Sequence, residues 1–234
     1  MISVVAWNFE FAGRRSRAAP ELLRRSEFYQ PDLSVLSEVK LDMLPAGNVI
    51  AGGENWGYPA KSGQRKIALV AEAPWEDVRA FDERPLAGRY VEGRTCLSGR
   101  ETIVIGVCIP WSFCHVTHGF RDRSRWQEHK DFLRALRPRL LKASETEKPI
   151  IFGGDFNHTF PPDSMDAEAH QMLLDLLSEA DLALFSSGQS KNGRLLNHLA
   201  GRGFELADTY WISKVDGDRD LTDHNGICVD LREI

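Results

Sequence analysis

Short apolar runs recur along the chain, and they end at a glycine, a proline or a polar side chain. Apolar or alternating runs of about four to eight residues with such boundaries are typical of β-strands. The pattern predicts strands in the segments ISVVAWN (2–8), DLSVLSEV (32–39), KIALVAE (66–72), TIVIGVCIP (102–110), IIFGGDFN (150–157), ELADTYWI (205–212) and GICVDL (226–231). Strands therefore dominate the predicted secondary structure.

Three further segments carry apolar residues at the spacing of a helix that is buried on one face. The first covers about residues 18–29 and is followed by Pro31. The second covers residues 125–143, and we expect Pro138 to bend or break it. The third covers residues 167–184. Because the helices fall between strands, the order of elements predicts an α/β fold with helices on the outer faces of the sheets.

The composition agrees with one folded domain. The chain of 234 residues is 42% hydrophobic and 27% charged, and it has no linker-like tract. Four cysteines without a CxxC pair indicate neither a disulfide framework nor a zinc site. The opening MISVVAWNFEF predicts a strand rather than an export or membrane segment. We therefore expect a single domain over residues 1–234 in the cytoplasm, with no membrane contact and no evident obligate protein partner.

The net charge of −5 argues against a protein that binds nucleic acid through a uniformly basic surface. Arginines nevertheless cluster in two runs. The first run holds Arg14, Arg15, Arg17, Arg24 and Arg25, and the second holds Arg121, Arg123 and Arg125. Such runs are either solvated surface charge or phosphate-binding sites, and their position relative to a functional site decides between the two.

Carboxylates, amides and one imidazole stand at the ends of predicted strands or directly before them. A strand end holds a side chain rigidly while the adjoining loop leaves room for a ligand. Each of these residues alone has an ordinary explanation as a turn former or a cap. Together they indicate a site built from oxygen ligands and one imidazole, and the residues are Asn8, Glu38, Asp155, Asn157, Asp223 and His224.

Five short motifs span nearly the whole chain. They are AWN (6–8), PDLSVLSEV (31–39), CIPW (108–111) followed by a helix with Arg125 near its start, GGDFN (153–157) and TDHNGI (222–227). Their order resembles that of the endonuclease/exonuclease/phosphatase superfamily, the metal-dependent phosphoesterases that include deoxyribonuclease I, exonuclease III and the inositol polyphosphate phosphatases. The resemblance implies a four-layer α/β-sandwich, in which two mixed β-sheets pack face to face and helices cover both outer faces.

The resemblance also implies a divalent cation, Mg²⁺ or Mn²⁺. Glu38 would be its main ligand, with Asn8 and Asp223 close by. Hard oxygen ligands suit these ions, which keep several waters and need only one or two protein carboxylates.

Three further residues receive catalytic roles from the resemblance. Asp155 would orient and deprotonate the attacking water, Asn157 would hold that water or a phosphate oxygen, and His224 would donate to the phosphate. The chemistry agrees, because hydrolysis of an anionic phosphodiester needs a cation on its oxygens, a base for the water and donors around the transition state.

Two positions depart from the family pattern. In the segment RLLNHLA, Asn197 stands where the family carries an Asp that pairs with the catalytic histidine. Either His224 acts largely as a neutral donor, or an acid such as Asp220 substitutes, or the activity is weak. Cys108 replaces the tyrosine of nucleases of the exonuclease III type and offers no comparable hydroxyl, which weakens the case for an abasic-site nuclease.

Residues for substrate contact come from loops near the expected site. Both arginine runs would then lie at one rim and concentrate a polyanion there. Trp111 could stack on a base, although packing is the commoner role of a tryptophan. The candidates are Arg14, Arg121, Arg123, Arg125 and Trp111, with Trp56, Trp75, His115 and His118 as weaker ones.

Three functions agree with these residues. The favoured one is a Mg²⁺- or Mn²⁺-dependent phosphodiesterase that cleaves DNA or RNA. The second is a phosphatase or phosphodiesterase whose substrate is a nucleotide or another small phosphoester. The third is a binding protein that keeps the scaffold but has lost catalysis, which Asn197 and Cys108 suggest and the other candidate site residues oppose.

Overall fold

The structure is a computed structural model that describes residues 1–163, 165–187 and 193–234. The helices of this part of the chain are α1 (Ala19–Glu27), α2 (Gln127–Ser144) and α3 (Ala167–Glu179). Its strands are β1 (Ile2–Asn8), β2 (Leu33–Lys40), β3 (Asn48–Ala51), β4 (Gln64–Ala71), β5 (Glu76–Ala80), β6 (Tyr90–Leu97), β7 (Arg100–Cys108), β8 (Ile150–Asp155), β9 (Ala183–Leu184), β10 (Asn197–Arg202), β11 (Phe204–Ile212), β12 (Val215–Asp216), β13 (Arg219–Asp220) and β14 (Gly226–Glu233).

Two mixed six-stranded sheets form the centre of the molecule. The first has the strand order β11-β14-β1-β2-β4-β3, and the second has the order β5-β6-β7-β8-β10-β9. The sheets pack face to face, because Val4 and Val35 of the first share one buried apolar cluster with Val104 and Ile151 of the second. This arrangement confirms the predicted α/β-sandwich.

The helices form the two outer layers. Side chains alternate along β1, so Val5 and Trp7 point away from the second sheet and pack against Leu22 of α1. On the opposite side, Leu136 of α2 and Leu173 of α3 pack against the outer face of the second sheet. In the part of the chain that the structure describes, no helix is long and apolar enough to span a membrane.

The expected break at Pro138 is wrong, because α2 continues through this residue. A proline inside a helix removes the hydrogen bond to the carbonyl of the residue four positions earlier, here Arg134. Arg134 and Pro138 both lie on the exposed side of α2, where water can satisfy that carbonyl. The buried face, with Phe132 and Leu136, packs without interruption.

Several strands escaped the sequence prediction. Strand β6 reads YVEGRTCL, and its charged residues interrupt the apolar pattern. Glu92 and Arg94 form ion pairs with Arg79 and Asp77 of the edge strand β5. The third predicted helix is shorter than expected, since α3 ends at Glu179 and the chain continues into β9.

Two glycines let β8 lie close to both of its neighbours. Gly154 has a φ of 132°, and a Cβ atom there would lie 2.0 Å from the carbonyl oxygen of Val107 on β7. A Cβ atom on Gly153 would lie 2.5 Å from Leu199 Cδ2 on β10. The glycines therefore allow β7 and β10 to lie close to β8 in the segment that leads to Asp155.

Candidate active site

Two pairs of parallel strands carry polar residues to one edge of the sandwich. Strands β1 and β2 run parallel, so Asn8 and Glu38 leave the first sheet at the same edge. Strands β7 and β8 run parallel in the second sheet, and β8 ends at Asp155. The Asp155 N–H donates to Ser37 Oγ at 3.2 Å, which joins the two sheets at this point.

Asp155 is buried, and three donors fix its carboxylate. Its Oδ1 accepts the N–H of Asn157 at 2.9 Å, and its Oδ2 accepts Nδ2 of Asn8 at 3.0 Å and Nδ2 of Asn157 at 3.1 Å. Burial raises the pKa of Asp155, the nearby His224 lowers it, and the negative charge of Glu38 raises it, with a raised pKa as the net result. The carboxylate is thus oriented and is a stronger proton acceptor than an exposed aspartate.

Asn157 presents its oxygen rather than its nitrogen to further partners. Its Nδ2 donates to the Ile109 carbonyl at 2.9 Å and to Asp155, so both amide hydrogens are used. Its φ is 48°, and that of Glu38 is 45°, which is the left-handed region. Non-glycine residues are uncommon there and cluster at functional sites.

Glu38 faces a lysine that the sequence analysis did not identify. Strand β4 pairs antiparallel with β2 and places Lys66 opposite Glu38, and Lys66 Nζ lies 2.5 Å from Glu38 Oε1. The ammonium also lies 5.2 Å from the ring centre of Phe11, which stacks on Trp56. Trp56 is only 4% exposed, so the structure removes it from the candidates for base stacking.

The loop before β14 places His224 between two carboxylates. Its Nδ1 lies 3.8 Å from Asp155 Oδ2, and its Nε2 lies 3.5 Å from Asp223 Oδ2. Trp7 Nε1 donates to the His224 carbonyl at 2.8 Å and holds this loop against the first sheet. The Trp7 ring also packs against Gly226, where a Cβ atom would lie 2.6 Å from Trp7 Cγ.

Asn197 is buried beside the same edge, opposite Asp155 in the pairing of β10 with β8. Its Nδ2 donates to the Asn225 carbonyl at 3.0 Å. Among the described residues, neither Asn197 Oδ1 nor His224 Nδ1 has a hydrogen-bond partner. Asp220 lies exposed in the β12–β13 hairpin, so the carboxylate that faces His224 Nδ1 is that of Asp155 and not that of Asp220.

A cleft of about 350 Å³ opens between these side chains. It is lined by Glu38, Lys66, Arg89, Trp111, Asp155, Asn157, Asp223 and His224. Six of these eight residues are among the site residues predicted from the sequence, and the two cations, Lys66 and Arg89, are not. Asn8 and Asn197 lie directly behind the cleft. Asn8 donates to Asp155, which lines the cleft, and Asn197 donates to the carbonyl of Asn225, the residue after His224.

Arg89 is a buried cation with weak partners. It is 3% exposed, and its guanidinium contacts the Cys108 carbonyl at 3.4 Å and Cys114 Sγ at 3.5 Å. Burial raises the pKa of the Cys108 thiol to about 12, so this thiol is neutral near neutral pH and offers no opposing charge. Arg89 lines the cleft, so its positive charge lies beside whatever binds there.

The predicted arginine rim is partly neutralised by the protein itself. Arg123 Nε lies 2.8 Å from Oε2 of Glu128, a carboxylate that is only 3% exposed. Arg14 donates to the Asp42 carbonyl on the surface. Arg121 and Arg125 are exposed.

The other candidates for substrate contact lie in different surroundings. Trp111 lines the cleft and is 45% exposed. Trp75 donates to the Asn48 carbonyl and packs against the core. His115 is buried against the Tyr58 ring, whereas His118 is exposed.

The donor set fits a cation that prefers oxygen. Burial raises the pKa of Glu10, and the negative charges of Asp223 and Glu38 raise it further, so these three carboxylates are near enough to influence one another. Within the described ranges, no group of three His, Cys, Asp or Glu side chains could hold a metal by itself. Carboxylate and amide oxygens of the kind found here are the donors that Mg²⁺ and Mn²⁺ prefer, and these ions keep several of their waters.

Comparisons with known proteins bear on the fold and on the family of the chain. Comparison of the sequence with curated proteins gives no match. Solved structures are similar over nearly the full length. A humanised TDP2 from D. rerio has a TM-score of 0.68 at 14% identity and covers 99% of this chain and 98% of its own. An AP endonuclease from Archaeoglobus fulgidus has a TM-score of 0.67 at 15% identity and covers 98% and 99%.

A third similar structure is the 3′ phosphatase NExo from Neisseria bound to a product DNA hairpin, with a TM-score of 0.69, 14% identity and coverage of 99% and 100%. At these identities the likeness shows the fold. The sequence profile of the Endonuclease/Exonuclease/phosphatase family matches residues 5–217, which is most of the chain. The chain therefore belongs to the endonuclease/exonuclease/phosphatase family, whose members are hydrolases that act on phosphoester bonds.

Proposed function

We propose that the protein is a metal-dependent phosphodiester hydrolase that acts on nucleic acid. The observation that carries this proposal is the composition of the cleft. A buried, hydrogen-bonded Asp155 and the metal-type ligand Glu38 share one small space with the cations Lys66 and Arg89. Bases, acids and cations that converge in this way suit hydrolysis of an anionic ester.

Glu38 would hold the cation, with Asn8 and Asp223 contributing oxygen atoms directly or through water. Divalent-metal dependence is general among enzymes of this family, and the oxygen donors described above favour Mg²⁺ or Mn²⁺. A bound divalent cation would supply charge neutralisation on the phosphate and would activate water. Lys66, which contacts Glu38, would shift toward the substrate or share this carboxylate.

Asp155 would act as the general base. Its carboxylate is fixed by Asn8 and Asn157, and its burial raises its pKa, which favours proton transfer from water. Asn157 has used both amide hydrogens inside the protein, so its oxygen would accept a hydrogen bond from the attacking water. This contact favours the water-holding role of Asn157 over the phosphate-binding one.

Negative charge that develops on the phosphate would meet donors from His224 and Arg89. Each oriented donor of this kind is worth about 3 kcal/mol, or roughly a hundredfold in rate. Both side chains line the cleft, and Arg89 keeps its positive charge because a guanidinium does not lose its proton in proteins.

A nucleic acid substrate is supported by two kinds of observation. The similar solved structures include an AP endonuclease and a phosphatase bound to a DNA hairpin. Arg121 and Arg125 are exposed on the loop that follows Trp111.

One observation favours a second candidate function, removal of a terminal phosphate. Two cations, Lys66 and Arg89, line a single small cleft, and a phosphate monoester carries more negative charge than a diester. The purified chain should be incubated with Mg²⁺ or Mn²⁺ and with single- and double-stranded DNA, RNA, mononucleotides and a bis-aryl phosphate, beside a Glu38→Ala control. Metal-dependent cleavage of polymers supports the nuclease, release of inorganic phosphate from terminal monoesters alone supports the phosphatase, and turnover no higher than that of Glu38→Ala refutes both.

A further inference from the structure

A row of exposed π-systems begins inside the cleft and leads out of it. Trp111 lines the cleft beside Asp155 and is 45% exposed. The Phe113 ring, which is 37% exposed, lies 5.7 Å from Trp111 at an angle of 45°. The Arg125 guanidinium lies over Phe113 at 4.8 Å. We call these three residues the aromatic row.

The loop that carries the aromatic row is held in place by hydrogen bonds on both sides of Trp111. His129 Nδ1 lies 2.7 Å from the Pro110 carbonyl, and the Cys114 N–H donates to the Trp111 carbonyl at 2.9 Å. The Trp126 N–H donates to the Ser112 carbonyl at 2.7 Å. Binding to a preformed surface of this kind loses little conformational entropy.

Electrostatic attraction alone is a weak source of affinity for this protein. The net charge is −5, and Arg84 and Arg123 are both paired with the buried carboxylate of Glu128. In most proteins that bind nucleic acid, contacts between cationic side chains and phosphates supply a large share of the affinity. Arg121 and Arg125 stay exposed on the same loop, and exposed aromatic faces provide a second source of binding energy beside such cations.

We propose that the aromatic row stacks on unpaired bases next to the phosphate that is cleaved, so that the preferred substrate is single-stranded nucleic acid or a frayed end. In a duplex the base faces are covered by neighbouring base pairs, and only an unpaired or terminal nucleotide can offer a face to Trp111. Stacking tolerates any base, since every base has a π-face. This inference rests on the proposed function, because it names the substrate class of the same cleft.

The test separates base stacking from phosphate contact. Fluorescence anisotropy measures the binding of the full chain, carrying Asp155→Asn so that the strand stays intact, to three probes. The probes are a short single strand of DNA, the same strand in a duplex, and a strand of equal length whose nucleotides lack bases. Trp111→Ala is compared with Trp111→Phe, and with Phe28→Ala as a control at an exposed aromatic residue on the far end of α1.

We expect Trp111→Ala to weaken binding of the single strand by about tenfold to a hundredfold, which corresponds to the loss of one or two stacked bases. Trp111→Phe keeps a ring and should recover most of this affinity, and Phe28→Ala should have no effect. The base-free strand should bind weakly and equally to all variants. Equal losses on the base-bearing and base-free strands, no loss at all, or tighter binding of the duplex would each overturn the inference.

Failure of the proposed function would look different. It would appear as the absence of metal-dependent hydrolysis by the chain with Asp155 intact, whatever the result of the binding measurement. Binding that follows the expected pattern without any hydrolysis would keep the aromatic row as a nucleic acid site and refute the catalytic proposal.

Discussion

Replacing Arg89 with methionine should stabilise the protein while it removes most of its activity. The guanidinium is 3% exposed and contacts one carbonyl and two sulfur atoms, at 3.4 to 4.0 Å. Bringing an ion out of water costs several kcal/mol, and contacts of this length to neutral groups return little of it. Replacement of buried ionic groups by apolar side chains of similar volume is often stabilising by about 1–4 kcal/mol.

The expected values for Arg89→Met follow from this comparison. We expect the free energy of unfolding to rise by about 1–3 kcal/mol, and a protein of this size gains about 2–4 °C in Tm for each kcal/mol. Loss of a charged donor to the transition state should lower the rate of phosphodiester hydrolysis by about a hundredfold or more. Urea denaturation measures the first quantity, and initial rates in the presence of Mg²⁺ measure the second.

Arg84→Met is the matched control. Arg84 pairs with Asp122 at 3.0 Å and with the buried Glu128 at 2.8 Å, so its removal leaves a buried carboxylate with one cation fewer. This variant should lose stability, by about 1–3 kcal/mol. If Arg89→Met loses stability as Arg84→Met does and keeps its hydrolytic rate, Arg89 is a structural residue and our reasoning about its charge is wrong.

Three further predictions concern the metal, the missing carboxylate and pH. Mg²⁺ or Mn²⁺ should raise the Tm of the unmodified chain but not of Glu38→Ala, and an equal rise in both would exclude Glu38 as the main ligand. Asn197→Asp should keep or raise the hydrolytic rate, because Asn197 Oδ1 is buried without a partner among the described residues; loss of activity in a folded variant that still binds substrate would contradict its placement beside His224. Burial lowers the pKa of His129 from 6.5 to about 4, although its bond to the Pro110 carbonyl opposes this. The unfolded chain thus binds this proton more tightly, so the contribution of His129 to stability is complete above about pH 6.5 and should fall by about 3 kcal/mol as the pH drops to about 4. His129→Gln should flatten this part of the urea-midpoint profile, and an unchanged slope would refute the assignment.

The site residues that could be predicted from the sequence all lie at the end of a strand with a clear apolar pattern or directly before one. Asp155 ends a strand that is buried throughout and Asn157 follows it, and Glu38 lies near the end of β2, two residues before Lys40. The apolar pattern itself shows where such a strand stops, so the polar residue at its end is visible without tertiary information. The strands with charged residues in their middle, such as β6, did not have this signal and were missed.

The two cations of the cleft escaped because they stand at the beginning of strands. Lys66 lies near the start of β4, and Arg89 directly precedes β6. Strand β4 runs antiparallel to β2, and β6 runs antiparallel to β7. The first residues of β4 and β6 therefore lie at the same edge as the last residues of β2 and β7, which reach the cleft. Lys66 begins the predicted strand KIALVAE, so its position at a strand start was visible in the sequence, whereas Arg89 was not visible because β6 itself was not predicted.

The sequence by itself determined the strands with a clear apolar pattern and the polar residues at their ends, because the burial pattern and the turn residues that specify them are local along the chain. The sandwich architecture followed from the resemblance to the family and not from this local pattern. Only the tertiary structure decided which charges are available. It paired Arg123 with Glu128, buried Trp56 and brought Lys66 and Arg89 into the cleft. Ion pairing and desolvation depend on residues far apart in the chain, and spacing within the sequence carries no record of those distances.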